Sequence, residues 1–253
     1  MGAMAARRRA GALDLGTYLR LTRGVTVSIA YLLPLLAAYE VGVQWIGSDL
    51  RNSAELSLKT AAGLSGVLGP WIQRAVLVGV LVVAIRLARR DVPALRLYPL
   101  FLLEAVLFAL LLGPAAAALV DGVGLSATGP PGAATAFPST TQRLLLSIGA
   151  GVYEELVFRF LLLAGGFTLL HRVLGFRRAP SLGCAVVVSA LLFSGYHHLG
   201  PGAEPFTAAV FAFRAAAGLA LGMLFTWRGL ALCAYLHAFY DMLCDLAHPG
   251  ATP

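Results

Sequence analysis

Charge is scarce in this sequence. Asp, Glu, Lys and Arg make up 12% of its 253 residues, against 59% hydrophobic residues. So little charge cannot clothe a soluble fold of this size, and the composition falls in the membrane class. Cysteine is scarce too: Cys184, Cys233 and Cys244 are odd in number, lie in or beside apolar runs and form no CxxC or metal-ligand spacing. That excludes a disulfide framework and leaves them as small packing residues. No internal repeat is visible, which removes the signature of many repeat-built transporters. No short apolar core with a small-residue cleavage site follows the first arginines, so residues 1–24 read as a basic cytoplasmic tail and not as a removable signal.

What is present is a series of apolar runs, each long enough at about 1.5 Å per residue to cross a bilayer. They cover about residues 25–46, 70–87, 98–120, 144–171, 181–198, 206–227 and 230–246. Pro34 is expected to kink the first. Residues 47–69, with Asp49, Arg51, Glu55 and Lys59, read as an exposed, partly helical loop, and residues 121–140, rich in Gly, Pro, Ser and Thr, as a second loop. The fold class expected is therefore all-α: a polytopic membrane helix bundle of about seven transmembrane helices with a cytoplasmic N-terminus. It forms one transmembrane domain over residues 25–246, followed by a short tail at 247–253.

That arrangement puts thirteen of the nineteen Lys and Arg residues on the cytoplasmic side, in the tail and around 86–96, 172–178 and 228. The positive-inside rule is satisfied. The net charge of +7 is then a topology signal, and no nucleic-acid partner is implied. The Ala-, Gly- and Arg-rich composition points to the inner membrane of a bacterium, with the lipid bilayer as surroundings.

Against this background the stretch GVYEELVFRFLLL, residues 151–163, stands out, because it places Glu154, Glu155 and Arg159 inside an apolar run. A charge at the centre of a membrane helix costs at least ~2.5 kcal/mol, so such residues face the bundle interior and tend to be functional. Glu155 and Arg159 are four apart with the acid first, the favourable order for a pair along one face. Glu154 is rotated by about 100° from Glu155 and has no partner on its own helix. A register-fixing ion pair accounts for Glu155 and Arg159 but not for Glu154, which becomes the candidate chemical group.

Two histidines complete the set. The fifth run ends in FSGYHHLG, with Phe193 one turn before His197 and His198 next to it; the seventh contains LHAFYD, with Asp241 one turn after His237. Asp241 is placed to accept from His237 and set its tautomer. One carboxylate and two imidazoles suit two chemistries. Glu154, His197 and His237 can hold a divalent metal such as Zn²⁺ that activates water. Without a metal, Glu154 can deprotonate a water while the histidines assist as bases or oxyanion donors. Both lead to hydrolysis within the membrane.

The segments EELVFR (154–159), FSGYH (193–197) and HAFYD (237–241) resemble the EExxxR, FxxxH and HxxxN/D motifs of the CPBP intramembrane proteases. That family includes type II CAAX prenyl endopeptidases and bacteriocin-processing or self-immunity proteins. The resemblance covers about residues 140–246 and includes the Gly- and Ala-rich run at 206–227 as a closely packed helix. It implies peptide-bond hydrolysis in a membrane-anchored or lipidated protein, in a glutamate-type or metal-dependent reaction. Glu154 and His197 would activate water and His237 and Asp241 assist, with Glu155, Arg159, Phe193 and His198 in support. Asp241 stands where many relatives carry Asn, and His198 is placed to replace its neighbour. A myxosortase-like branch, which processes C-terminal sorting signals of exported proteins, suits the architecture, since His197 falls near the outer end of its span.

Two other classes use the same residues. Intramembrane Glu, His and Asp form proton relays in transporters, and Glu40, Glu104 and Arg214 can line such a path. A non-catalytic immunity or scaffold protein would bind peptides without cleaving them. Arg214, two turns into its span, is placed to snorkel, to pair with Glu104 or Asp241, or to attract a substrate carboxylate.

Overall fold

A computed structural model describes residues 14–46, 51–63, 95–125, 139–199 and 203–247, with isolated positions between 69 and 86. All regular structure among them is helical. Helix α1 (Leu15–Thr22) is capped by Asp14, which accepts from Thr17 N at 2.7 Å. Helix α2 (Val25–Ile46) runs through Pro34 as one helix. Helix α3 (Ser53–Ala61) is capped by Asn52, and α4 (Tyr98–Gly122) begins with a proline at its first turn, where no amide donor is missed. Helix α5 (Thr140–Val173) opens with a reciprocal cap between Ser139 and Gln142. Helices α6 (Arg178–Tyr196), α7 (Ala208–Arg228) and α8 (Leu230–Ala247) follow. Gly229, at φ 86°, takes the left-handed conformation that the tight α7–α8 turn requires.

Six of these helices, α2 and α4 to α8, are long and apolar enough to cross a membrane, so the chain is an integral, multi-pass membrane protein. The span expected over residues 70–87 lies outside the continuously described residues. Large apolar side chains on α4, such as Leu103, Leu107 and Leu111, face outward, as lipid-facing positions do.

Helix α8 is the centre of the bundle. Every residue from Ala231 to Ala238 is buried, and the helix packs on α2, α4, α5 and α7. In lipid, helices associate through close packing, so small residues set how near they come. Gly151 of α5 is the closest case: a Cβ there would collide with Ala234 O and lie 2.7 Å from Ala238 Cβ. The small-residue packing expected of residues 206–227 is present, with Gly218 placed so that a Cβ would lie 3.1 Å from Ala190 Cα of α6.

Two expectations change. Residues 51–61, expected as an exposed, partly helical loop, do carry a helix, but its inner face is not exposed: Asn52, Ala54 and Glu55 are buried and α3 packs against α5, while Ser53, Leu56, Ser57, Thr60 and Ala61 stay exposed. Glu55 is neutralised in place by Arg51 and Lys59 and accepts from Tyr39. At the opposite end of the bundle, Arg228 is not a solvated turn residue. It is buried, with a two-pronged bond to Glu104 at 2.7 and 2.6 Å and a further one to Thr22, while Tyr18 donates to Glu104. Glu104 therefore pairs with Arg228 and not with Arg214.

Candidate active site

Helix α5 changes its winding at the charged stretch. It is α-helical up to Glu155 and π-helical over Leu156–Ala164. Wide turns of this kind recur at functional sites, and they strain the backbone ladder. Here Ser189 of α6 donates to Phe158 O at 2.6 Å, supporting a carbonyl in the widened region. Glu154, Glu155 and Arg159 are all buried.

Glu155 and Arg159 form the pair read from the sequence, with Oε1 3.1 Å from Nη1. The Arg159 guanidinium also lies 4.4 Å from the centre of the Phe193 ring, a cation–π contact that shields it from lipid. The same Glu155 oxygen is 2.7 Å from His237 Nδ1. A carboxylate only accepts, so Nδ1 carries the hydrogen and Nε2 faces the other way. Thus Glu155, not Asp241, orients this ring. Asp241 Oδ2 lies 3.5 Å from His237 Nε2, on its cavity side.

His197 follows the last turn of α6. Its Nδ1 is 2.8 Å from Phe193 O, and a carbonyl also only accepts, so Nδ1 is again the protonated nitrogen. Burial holds this imidazole below its ordinary value, while the Glu154 carboxylate works in the opposite direction. The Phe193 ring lies between the two imidazoles, with centres 4.8 Å from His197 and 5.8 Å from His237.

Both Nε2 atoms converge on Glu154. Its Oε2 lies 3.6 Å from His197 Nε2 and 3.9 Å from His237 Nε2, and this buried oxygen has no hydrogen-bond partner among the described residues. Its Oε1 accepts from Asn52 Nδ2 at 3.1 Å. The gaps to the imidazoles exceed a direct hydrogen bond.

These groups line a cavity of about 330 Å³, whose wall also includes Arg51, Arg143, Arg214 and Asp245. Asp245 is buried, accepts from Ser147 at 3.0 Å and lies 3.7 Å from Arg143 Nε. Arg214 bonds Glu204 in the segment after His197, at 2.8 Å through Nε. Glu40 accepts from Tyr153 at 2.6 Å. His198 turns away: its Nδ1 meets Glu204 O and its ring packs on Phe206 and Phe211.

Glu154, His197 and His237 are donors of the type zinc takes. Ligand atoms in a tetrahedral zinc site stand roughly 3.3 Å apart, given bonds of ~2.0 to 2.1 Å. The separations of 3.6 and 3.9 Å are wider, and no three His, Cys, Asp or Glu side chains among the described residues are grouped tightly enough to hold a metal ion.

The structure thus brings together Glu154, Glu155, Arg159, Phe193, His197, His237 and Asp241, and leaves out His198. Sequence reasoning missed Asn52, Arg143 and Asp245. The run Asn52-Ser-Ala-Glu55 carries a helix-start signal, but nothing in it announces proximity to a residue a hundred positions away.

Residues 135–243 match the family model described as Type II CAAX prenyl endopeptidase Rce1-like. The match spans the EELVFR, FSGYH and HAFYD segments and agrees with the resemblance they carry. The family is one of proteases, which supports an intramembrane endopeptidase acting on a protein substrate. No curated protein and no solved structure matches the chain.

Proposed function

From an Rce1-like type II CAAX prenyl endopeptidase core at residues 135–243, we propose that the protein hydrolyses a peptide bond in a membrane-anchored or lipidated protein, using a water activated by Glu154 and His197. The observation that carries this reading is Glu154 Oε2, buried, without a hydrogen-bond partner among the described residues and facing two imidazole nitrogens.

In this reaction Glu154 Oε2 takes a proton from water while His197 Nε2, unprotonated because Nδ1 faces Phe193 O, holds the water's other hydrogen. The water oxygen bonds to the scissile carbonyl carbon. In its protonated form, His237 donates from Nε2 to the oxyanion that develops, with Asp241 beside it and Glu155 fixing the ring. Glu154 passes its proton to the departing amine as the C–N bond breaks, so atoms and charge balance.

A metal ion held by Glu154, His197 and His237 would supply Lewis-acid activation of water instead. The present separations of 3.6 and 3.9 Å are wider than such a site requires.

The placement of the cavity bears on the substrate. Arg143 near the start of α5, His197 after α6 and Asp245 near the end of α8 lie at one end of the bundle. Arg172, Arg177, Arg178 and Arg228 lie at the other. Basic residues collect on the cytoplasmic side, so the cavity faces the outer side and the substrate is the anchor region of an exported protein, such as a C-terminal sorting signal. The test is to purify the enzyme, assay its metal content and map the cleaved bond in membrane-anchored proteins from the same genome. Cleavage beside the outer membrane interface supports the reading; cleavage confined to cytoplasmic tails, or single cysteines at positions 130 and 202 labelled only from the cytoplasm, contradicts the orientation.

A further inference from the structure

Asn52 lies 102 positions from Glu154 and outside the segment that matches the protease family, yet it donates a hydrogen bond to the Glu154 carboxylate. Its amide has a defined orientation. Oδ1 accepts from Ala54 N at 2.8 Å as the cap of α3, so the group presented to Glu154 Oε1 at 3.1 Å is the donating Nδ2. The backbone N–H of Asn52 donates to Tyr39 Oη at 3.0 Å, and Tyr39 in turn donates to the fully buried Glu55. Arg51 and Lys59 both bond that same carboxylate. The Tyr39 ring is seated against Gly149 of α5, where a Cβ would lie 2.9 Å from its Cζ. Asn52 is therefore clamped to α2, to α3 and, through the Tyr39 ring, to α5.

A terminal carboxylate torsion is broad, and without an external donor the two oxygens of Glu154 are interchangeable. One N–H directed at Oε1 removes that equivalence and leaves Oε2 facing His197 and His237.

We infer that Asn52 is a positioning residue of the active site: its side-chain amide, delivered by the turn that leads into α3, fixes the rotation of Glu154 so that Oε2 faces the reacting water. The inference rests on the reading of Glu154 as the base. It assigns residues 51–61 a part in the reaction, which neither their sequence nor the family match assigns.

The competing explanation is that Asn52 only caps α3. Two substitutions separate the roles. Asn52→Asp keeps the cap acceptor and the side-chain size but replaces the amide donor with a second carboxyl group against Glu154; Asn52→Ser is therefore the variant that removes the donor without adding charge. Asn52→Ser keeps a capping hydroxyl and is too short to reach Glu154. Asn52→Ala loses both functions.

The first readout needs no substrate. In protein labelled with ¹³C-glutamate, the infrared band of Glu154 is isolated by subtracting the spectrum of Glu154→Gln. The expected result is a shifted carboxylate band in Asn52→Asp and in Asn52→Ser, with wild-type Tm in Asn52→Ser. The second readout is cleavage of an internally quenched peptide bearing a hydrophobic C-terminal anchor. The expected result is kcat reduced on the order of 10- to 100-fold in both variants, as for displaced catalytic groups, with KM within about twofold.

An unshifted band with wild-type kcat in Asn52→Asp and Asn52→Ser overturns the inference, as does loss of kcat confined to variants that also lose Tm. Glu154→Gln separates the two levels. If it still cleaves the peptide, the reading of Glu154 as base fails; if it is inactive while both Asn52 variants behave as wild type, only the Asn52 assignment fails. Where the peptide is not cleaved by the wild type, the infrared band decides.

Discussion

His237 Nδ1 donates to Glu155 Oε1 across 2.7 Å, and Arg159 Nη1 lies 3.1 Å from the same oxygen. The second glutamate of the pair therefore joins a buried cation to the ring that faces Glu154. Removing it affects both. Glu155→Ala leaves the buried Arg159 charge unpaired and is expected to cost about 3 to 5 kcal/mol of stability. Glu155→Gln retains an acceptor oxygen and is expected to fold, with activity reduced about 10- to 100-fold, as when the outer partner of a functional histidine is altered. Thermal unfolding in detergent and cleavage per folded molecule measure the two effects separately.

The Glu104–Arg228 pair stands at the far end of the bundle from the cavity and is expected to contribute to stability alone. Arg228 is buried and bonds both Glu104 oxygens as well as Thr22. Glu104→Ala is expected to destabilise by about 3 to 5 kcal/mol while the surviving folded protein keeps wild-type kcat. A proton-conducting role for Glu104 would instead show as loss of transport or activity without loss of stability.

Gly151 sets the distance between the helices that carry Glu154 and His237. Any side chain at 151 meets Ala234 O, a backbone atom that no rotamer change can move. Gly151→Val is expected to cost about 1 to 3 kcal/mol through overpacking and, by displacing α8 from α5, on the order of 100-fold in activity. Folded yield and single-turnover cleavage are the measurements.

His197 and His198 are adjacent in sequence and unlike in surroundings. His197→Ala is expected to lower kcat by roughly 10²- to 10⁴-fold, the range for a group that takes part in general acid–base catalysis. His198→Ala is expected to leave activity within about threefold of wild type, since only His197 reaches the active-site carboxylate. The lowered value of His197 adds a pH consequence. Its imidazole stays neutral, and Nε2 available, as the pH falls through the ordinary histidine value of 6.5. The His197 contribution to the acid limb of kcat should therefore lie below that value, and a limb centred well above it would contradict the neutral form in the folded state.

The parts of this site legible in the sequence are those whose chemistry conflicts with their surroundings. Glu154, Glu155 and Arg159 are conspicuous because charge inside an apolar run is costly, and His197 and His237 because they recur on further apolar runs. The rest depends on how distant segments meet. The partner of His237 was expected at Asp241, one turn away on the same helix, but Gly151 brings α5 so close that Glu155 reaches Nδ1 first. Residues 51–61 look solvated because they are rich in charge. One face of them is in fact buried, through Asn52, Ala54 and Glu55, since Arg51, Lys59 and Tyr39 converge on Glu55 and satisfy it. Pairing of this kind is invisible to composition, which counts charges and not their partners.

The most direct measurement is cleavage of a co-expressed membrane-anchored substrate by wild-type protein and by Glu154→Gln, a substitution that keeps the size of the side chain and its bond from Asn52 but removes the base. The account requires cleavage by the wild type and its loss by at least about 100-fold in Glu154→Gln, with the variant folded and inserted as the wild type is. Cleavage by Glu154→Gln at the wild-type rate would contradict it.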